Sequence, residues 1–160
     1  ASAMARVRRA DSITVCDPDA TRLTWASRFA ADHTIPWERF AQDHDGHRFD
    51  LVLEMSGNSQ AVARGLAVAE VGARIVLVGS VHPTPAIEIV PQDVVRRLLT
   101  LVGVHNYHPD DLLCAVDFLM THGTDYPFAQ IISPAIQLAD INTVLQAKSQ
   151  SRAVRISVRP

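Results

Sequence analysis

The sequence has little net charge and no long hydrophobic run, and each of these absences excludes a class of protein. Its 15 lysines and arginines nearly balance its 17 aspartates and glutamates, which gives a formal net charge of −2. No basic excess points to nucleic acid, and no block of like charge points to a tail. No apolar run approaches the roughly 18 residues of a membrane span, and the N-terminus lacks the layout of a signal peptide. We therefore expect neither nucleic acid nor a membrane as a partner.

Cysteine is also scarce, and its placement argues against a disulfide framework. Cys16 lies in an apolar strand pattern and Cys114 in an apolar helical pattern, far apart in the sequence. Two such thiols are typical of buried, reduced cysteines. We expect a cytoplasmic protein of about one domain, because 160 residues are enough to bury a core.

Short apolar or β-branched runs alternate with helical spacings, an order typical of an α/β fold. The predicted strands are residues 12–16, 33–35, 51–55, 74–78, 86–90, 98–104 and 153–158. The predicted helices are residues 1–9, 21–31, 58–72, 110–123 and one that begins at Asp140. The strand, helix and strand between residues 51 and 78 have short connections, which predicts a βαβ unit with parallel pairing.

Two stretches carry a resemblance to a known family. LVLEMSGNSQAVARGLAVAEVGARIVLVGS resembles the cofactor domain of the medium-chain, zinc-type alcohol dehydrogenases, above all the sorbitol and threonine dehydrogenase branch. IISPAIQLADINTVLQAKSQSRAVRISV resembles the closing segment of that family, which returns to the catalytic domain. The resemblance implies a partial dinucleotide-binding domain at residues 1–125 and a C-terminal segment at residues 126–160. The expected fold is an incomplete Rossmann-like parallel sheet with flanking helices, followed by a C-terminal helix and strand.

The glycine-rich turn of a Rossmann domain is missing from this sequence. That turn precedes the acidic residue of the second strand by about 20 residues. Counting back by that distance from Asp17 runs past the first residue. The resemblance therefore implies a C-terminal fragment, without the first strand, the glycine turn and the zinc-bearing N-terminal domain. Zinc is expected only in that missing domain.

Asp17 and Arg22 are candidate contacts for the adenosine ribose. By resemblance, the Asp17 carboxylate at the end of the second Rossmann strand accepts the ribose hydroxyls and selects NAD over NADP. Arg22 lies where the family often has a basic residue beside the same ribose. The competing interpretations are ordinary turn chemistry for Asp17, which precedes a proline, and a solvated helix arginine.

Further candidate cofactor residues follow the apolar strands, because open α/β sheets bind ligands at the carboxyl ends of their strands. By resemblance to the family these positions approach the cofactor, and the backbone groups of residues 78–80 face the nicotinamide ring and its carboxamide. The simpler interpretation is that they are strand-to-helix turns. The candidates are Ser56, Gly57, Val78, Gly79, Ser80, Gly103, Val104 and His105.

Seven histidines raise the question of a metal site. The polar loop DHDGHR at residues 43–48 and the pair His105 and His108 are the places where ligands cluster. A catalytic zinc needs three or four convergent ligands, and the loop precedes a strand at the wrong edge of the sheet. We expect no metal ligands in this sequence, and the absence of a G-x-S-x-G motif argues against a hydrolase.

A Rossmann sheet without its first strand has a gap at its centre, since that strand lies between the second and the fourth. We expect the second strand to pair directly with the fourth, another chain to fill the gap, or a longer polypeptide to supply the strand. By resemblance to dimeric members of the family, the apolar strand at residues 98–104 is expected to pair across a two-fold axis. A homodimer or higher oligomer follows.

Two functions are compatible with these patterns. The preferred one is the cofactor-binding portion of a zinc-type alcohol or polyol dehydrogenase, with NAD and a small alcohol as its ligands in the complete enzyme. The alternative is a non-catalytic nucleotide-binding or assembly module derived from such an enzyme. A methyltransferase is a distant third, which the strand ends MSG and LVGS disfavour.

Overall fold

Parallel strands and helices alternate along the described part of the chain, which comprises residues 1–42, 46, 48–146 and 154–160 of a computed structural model. The chain forms two compact units. The first contains Ala1–Phe40 and Leu113–Pro160, and the second contains Ala41–Leu112. Both have parallel strands with helices between them, which confirms the α/β class. The predicted domain boundary at residue 125 stays a prediction.

The elements follow the predicted order closely. The strands are β1 Thr14–Asp17, β2 His33–Pro36, β3 Phe49–Glu54, β4 Ala69–Leu77, β5 Thr100–Gly103, β6 Ile136–Gln137 and β7 Val158–Arg159. The α-helices are α1 Ser2–Val7, α2 Ala20–Arg28, α3 Trp37–Gln42, α4 Ser59–Val68, α5 Pro91–Arg96, α6 Pro109–His122 and α7 Ile141–Gln146. Short 3-10 helices occupy Phe128–Ile131 and Leu138–Asp140.

In the first unit, β1 and β2 form a two-stranded parallel sheet, with Val15 opposite Thr34. Asp32 connects α1 to this sheet. Its carboxylate accepts a hydrogen bond from the Ile13 N–H at 2.7 Å and another from the Arg6 guanidinium. These donors, the Ile13 N–H most of all, hold the pKa of Asp32 below its ordinary value of 3.8.

The second unit contains the predicted βαβ arrangement. Its sheet has the order β3-β4-β5 with both pairs parallel, and α4 connects β3 to β4. Ala69, Ala73 and Ile75 on β4 are buried, and Val52 and Leu66 pack against them. Because Val52 lies directly opposite Ile75, these two side chains share one face of the sheet. The core of this unit therefore lies on that face.

The end of α4 differs from the prediction, which placed it at Gly72. The helix ends at Val68, where the Arg97 side chain donates to the carbonyl oxygens of Leu66, at 3.1 Å, and Ala69. A cation at this position satisfies carbonyls that a helix leaves without partners. Gly72 instead lies inside β4 at a φ of +81°, where the register with β3 shifts, and its N–H donates to the Arg97 carbonyl at 2.7 Å.

Other differences concern short elements. The strand predicted at residues 86–90 is wrong: this segment pairs with no strand of the described chain, and prolines on both sides remove backbone donors. The helices α3 and α5 were not predicted, since six residues carry too little periodicity. Cys114 is exposed, which contradicts its predicted burial. The closing strand is shorter than 153–158, and residue 153 lies outside the described residues.

Exposed apolar side chains line one face of β3 and the residue just beyond it. The alternate residues Leu51, Leu53 and Met55 are between 43% and 59% exposed. Within the described residues β1 pairs with β2 and β3 pairs with β4, and no sheet joins β1 to β3. Direct pairing of the second and fourth Rossmann strands is therefore not how the expected gap is closed.

Candidate functional site

The second unit gathers most of the predicted site residues at one edge of its sheet. Glu54 lies opposite Leu77, and Leu77 opposite Gly103, so β3, β4 and β5 end at the same level. Carboxyl ends of parallel strands are where open α/β sheets bind ligands. We call this the carboxyl edge. The predicted residues that follow its three strands are Ser56, Gly57, Val78, Gly79, Ser80, Val104 and His105.

Two of these residues are glycines because the backbones that follow β3 and β4 touch each other. Gly57 has a φ of +74°, and a Cβ added to it would lie under 3.0 Å from the Gly79 carbonyl oxygen. A Cβ on Gly79 would lie equally close to the Gly57 nitrogen and to the Met55 carbonyl carbon. Neither position therefore has room for a side chain.

Glu54, which the sequence analysis did not single out, binds both of these loops. The residue is 5% exposed. Its Oε1 accepts hydrogen bonds from the Ser56 N–H at 2.7 Å, the Ser56 hydroxyl at 2.6 Å and the Gly57 N–H at 2.9 Å. Its Oε2 accepts from the Ser80 hydroxyl at 3.3 Å. The signal in the sequence was an acid inside the otherwise apolar run LVLEM.

The backbone of Glu54 makes the same connection. Its carbonyl oxygen accepts from the Val78 N–H at 2.8 Å and from the Gly79 N–H at 3.0 Å. On the next strand the Val104 N–H donates to the Leu77 carbonyl at 3.0 Å, which extends the β4–β5 ladder past Gly103. Val104 and His105 are exposed beyond it. The carboxyl edge is thus a continuous hydrogen-bonded rim.

Asp17 and Arg22 lie together in the first unit, at the carboxyl end of β1. The Asp17 Oδ1 accepts from the Asp19 N–H at 2.8 Å, which is the turn chemistry that the sequence allowed as an alternative. The Asp17 Oδ2 lies 3.8 Å from the Arg22 Nη1. The Asp17 side chain is 24% exposed. A carboxylate has about four acceptor sites, so the turn and a ribose can share it.

Asp19 fixes the start of the helix that follows Asp17. Its carboxylate accepts from the Thr21 N–H at 2.7 Å and the Arg22 N–H at 3.3 Å, which makes it the N-cap of α2. The Thr21 hydrogen bond is the main reason that the pKa of Asp19 lies below its ordinary value. Because Arg22 lies three residues beyond this cap and its N–H is bound by it, the cap fixes the backbone position of Arg22.

Metal ligands do not converge anywhere in the part of the chain that the structure describes: no group of three or more His, Cys, Asp or Glu side chains is placed to hold an ion. The residues there, His105 and His108 included, do not fit a catalytic zinc. Asp43, His44, Asp45 and His47 lie outside the described residues. No helix within the described ranges combines the length and the apolar composition needed to cross a membrane.

Comparison with known proteins identifies the family. The sequence model of the family described as zinc-binding dehydrogenase matches residues 1–121. The chain belongs to the zinc-binding dehydrogenases. That family is the one that the sequence resembles, and the match includes all of the predicted cofactor residues, from Asp17 to His105.

Individual relatives of this zinc-binding dehydrogenase chain agree. An L-threonine 3-dehydrogenase from Symbiobacterium thermophilum is 27% identical over 164 residues, which cover 98% of this chain and 46% of the relative. A Sinorhizobium meliloti structure described as a zinc-binding dehydrogenase bound to NADP has a TM-score of 0.86 at 23% identity, over 99% of this chain and 48% of that one. An alcohol dehydrogenase structure from Thermotoga maritima also has a TM-score of 0.86, at 20% identity, covering 99% and 46% of the two chains.

These comparisons also show how much of each relative the chain covers. It spans about half the length of the relatives that it matches. The likeness to the two structures shows the fold, a Rossmann-like α/β arrangement shared over nearly all 160 residues. The roles of the individual site residues remain predictions.

Proposed function

We propose that this chain is the nicotinamide-dinucleotide-binding portion of an alcohol or polyol dehydrogenase. In the complete enzyme a hydride passes between the alcohol carbon and the nicotinamide ring, and the protein supplies binding and orientation for that transfer. Membership of the zinc-binding dehydrogenases supports this proposal. So do the relatives described as L-threonine 3-dehydrogenase and alcohol dehydrogenase.

The observation that carries the proposal is the position of Asp17. It is the last residue of a parallel strand, its carboxylate is partly exposed, and α2 starts directly beyond it. In dinucleotide-binding folds an acid at this position accepts hydrogen bonds from the adenosine ribose hydroxyls. We assign the adenosine ribose to Asp17, with Arg22 beside it, and the nicotinamide side to the carboxyl edge.

The same residue favours NAD over NADP. A carboxylate at the ribose repels a 2′-phosphate, whereas an arginine nearby accommodates one. Here both are present, but the Arg22 Nη1 lies 3.8 Å from the Asp17 Oδ2 and offsets rather than replaces its charge. The Sinorhizobium meliloti structure is bound to NADP. The proposed preference of this chain for NAD therefore depends on the role assigned to Asp17, and comparing its affinities for NADH and NADPH measures it directly.

Titration with NADH, followed by its fluorescence, tests the assignment. Hydrogen bonds to a charged group contribute about 1.5–3 kcal/mol. We therefore expect Asp17→Ala to weaken NADH binding roughly 10- to 150-fold, and to reduce the preference for NADH over NADPH. Asp11→Ala removes an exposed aspartate of the same unit and is the matched control, expected to bind as the wild type does. Absence of saturable NADH binding by the wild-type chain would refute the proposal in favour of a non-catalytic assembly module.

The zinc of the complete enzyme is assigned to residues outside this chain. The described residues do not fit a zinc site, and the chain corresponds to about half of its relatives. We place the zinc ligands, and the part of the alcohol pocket that they define, in the half of the complete enzyme that these 160 residues do not include. Zinc would there polarise the alcohol oxygen as a Lewis acid.

Two further assignments complete the proposal. We place the enzyme in the cytoplasm, on the basis of its composition and its small number of cysteines. We also expect a homodimer through β5, an edge strand of the second unit with an apolar side chain, Leu101, that is 44% exposed. Light scattering that gives the mass of a single chain would contradict the dimer.

A further inference from the structure

The proposed function leaves one buried charged residue without a role. Glu54 ends β3 with 5% of its surface exposed, in a run of apolar residues. Burying a carboxylate is unfavourable unless hydrogen bonds compensate for its lost hydration. An apolar side chain would fill the same position in a structural strand at no such penalty. The hydrogen bonds that Glu54 makes therefore indicate what it is for.

Those hydrogen bonds reach five residues, and all five are predicted cofactor contacts. The Glu54 carboxylate accepts from Ser56, Gly57 and Ser80. Its backbone carbonyl oxygen accepts from the two N–H groups that follow β4, which belong to residues 78 and 79. One residue thus connects the loop after β3 to the loop after β4.

We propose that Glu54 is the positioning residue of the cofactor site: it holds both loops in the arrangement that receives the nicotinamide side of the dinucleotide. This inference rests on the proposed function. Glycine has more conformational freedom than any other residue. Gly57 and Gly79 meet at this point, so without a common acceptor their loops would sample other arrangements.

Preorganisation gives this role a measurable consequence. Ordering a loop at the moment of binding subtracts from affinity, and a loop that is already ordered avoids that loss. If Glu54 orders the carboxyl edge, removing its acceptor oxygens weakens ligands that use this edge. Ligands that bind only through adenosine and its ribose are unaffected.

A pair of variants separates the acceptor from the shape of the side chain. Glu54→Leu removes both carboxylate oxygens at similar volume, leaves the backbone carbonyl oxygen of residue 54 in place, and deprives the N–H groups of Ser56 and Gly57 of their acceptor. Glu54→Gln keeps one acceptor oxygen for those N–H groups and an amide that can donate to the Ser80 hydroxyl. We expect the leucine variant to weaken NADH binding about tenfold or more and the glutamine variant to restore most of it.

ADP, which lacks both the nicotinamide and the ribose that carries it, is the second ligand. We expect ADP to bind each Glu54 variant as tightly as it binds the wild type, since only the nicotinamide side depends on the carboxyl edge. Glu54→Asp, which keeps the charge but withdraws its oxygens, is the milder variant should Glu54→Leu not fold, and it is expected to weaken NADH alone.

The outcomes separate the two proposals. A wild-type chain that binds neither ligand refutes the proposed function and this role with it. A wild type that binds NADH, beside leucine and aspartate variants that bind it equally well, overturns the positioning role alone. An equal loss of affinity for NADH and for ADP in folded variants also overturns that role, because Glu54 would then support the fold as a whole rather than the carboxyl edge.

Discussion

Substitution of Gly57 by alanine should destabilise the second unit strongly, for two separable reasons. The residue has a φ of +74°, and an added Cβ would lie under 3.0 Å from the Gly79 carbonyl oxygen. Holding alanine in the left-handed region costs about 1–2 kcal/mol. Forcing an extra carbon into a packed site costs about 1–3 kcal/mol more. The expected loss in the free energy of unfolding is therefore about 2–5 kcal/mol, a large part of the stability of a typical domain.

The other glycines of the unit supply matched controls. Gly72 also has a positive φ, +81°, but nothing lies within 4 Å of the point that a Cβ would occupy, so Gly72→Ala carries the backbone penalty alone. Gly103 has neither a clash nor a positive φ, and Gly103→Ala should change stability by less than about 0.5 kcal/mol. Gly103→Ala should be the most stable of the three variants, Gly72→Ala the next, and Gly57→Ala the least stable.

Urea unfolding measures this order. With an m-value of about 1–3 kcal/mol/M, Gly57→Ala should lower the urea midpoint by about 1 M or more. Both tryptophans, Trp25 and Trp37, lie in the first unit, so their fluorescence does not follow the second. Far-UV circular dichroism follows the helices and strands of both units, and amide hydrogen exchange of β3 and α4 reports the second unit specifically. A Gly57→Ala chain with the midpoint of Gly103→Ala would refute the close approach of the two loops.

Two further predictions concern residues that are not part of the carboxyl edge. Arg97→Ala should lower the free energy of unfolding by about 1–2 kcal/mol, because the carbonyls at the end of α4 lose their hydrogen-bond donor. The control is Arg96→Ala, which changes an adjacent exposed arginine and should leave the urea midpoint unchanged. Asp32, whose pKa is lowered chiefly by the Ile13 N–H, stabilises the fold fully above pH 3.8, and that contribution is lost as the pH falls through the lower folded-state pKa. Asp32→Asn should therefore lower the urea midpoint at neutral pH and approach the wild type in acid; an equal deficit at every pH, or the same deficit in Asp11→Asn, would contradict this.

The order of elements could be predicted from the sequence because it depends on local patterns. The run LVLEM, the N-cap Asn58 and the run RIVLV define β3, α4 and β4 without any tertiary information. Asn58 does accept the Gln60 N–H, at 2.8 Å. Parallel pairing follows from the helix α4 that connects the two strands, and parallel pairing places the ends of β3 and β4 at one edge. The gathering of the predicted residues at that edge was therefore accessible from sequence.

What could not be predicted depends on partners distant in the chain. Gly72 has the composition of a helix end, but Arg97, 28 residues beyond Ala69, ends α4 earlier by binding its last carbonyls. Glu54 looked like a polar interruption of a strand, and only the fold shows that Ser80, 26 residues later, donates to it. Side-chain contacts across such separations leave no periodicity in the sequence.

The close approach of Gly57 and Gly79 limits what these two glycines indicate about function. Their backbones touch, so both positions require glycine whether or not a cofactor is present. The contact between the two backbones is therefore enough to explain glycine at these strand ends. The argument for a dinucleotide must rest on residues that packing does not explain. Asp17 is the strongest of these, since Asp19 already caps α2 and the turn occupies only one oxygen of the Asp17 carboxylate. For this reason the NADH titration with Asp17→Ala decides the function, whereas the glycine variants decide only the geometry on which it rests.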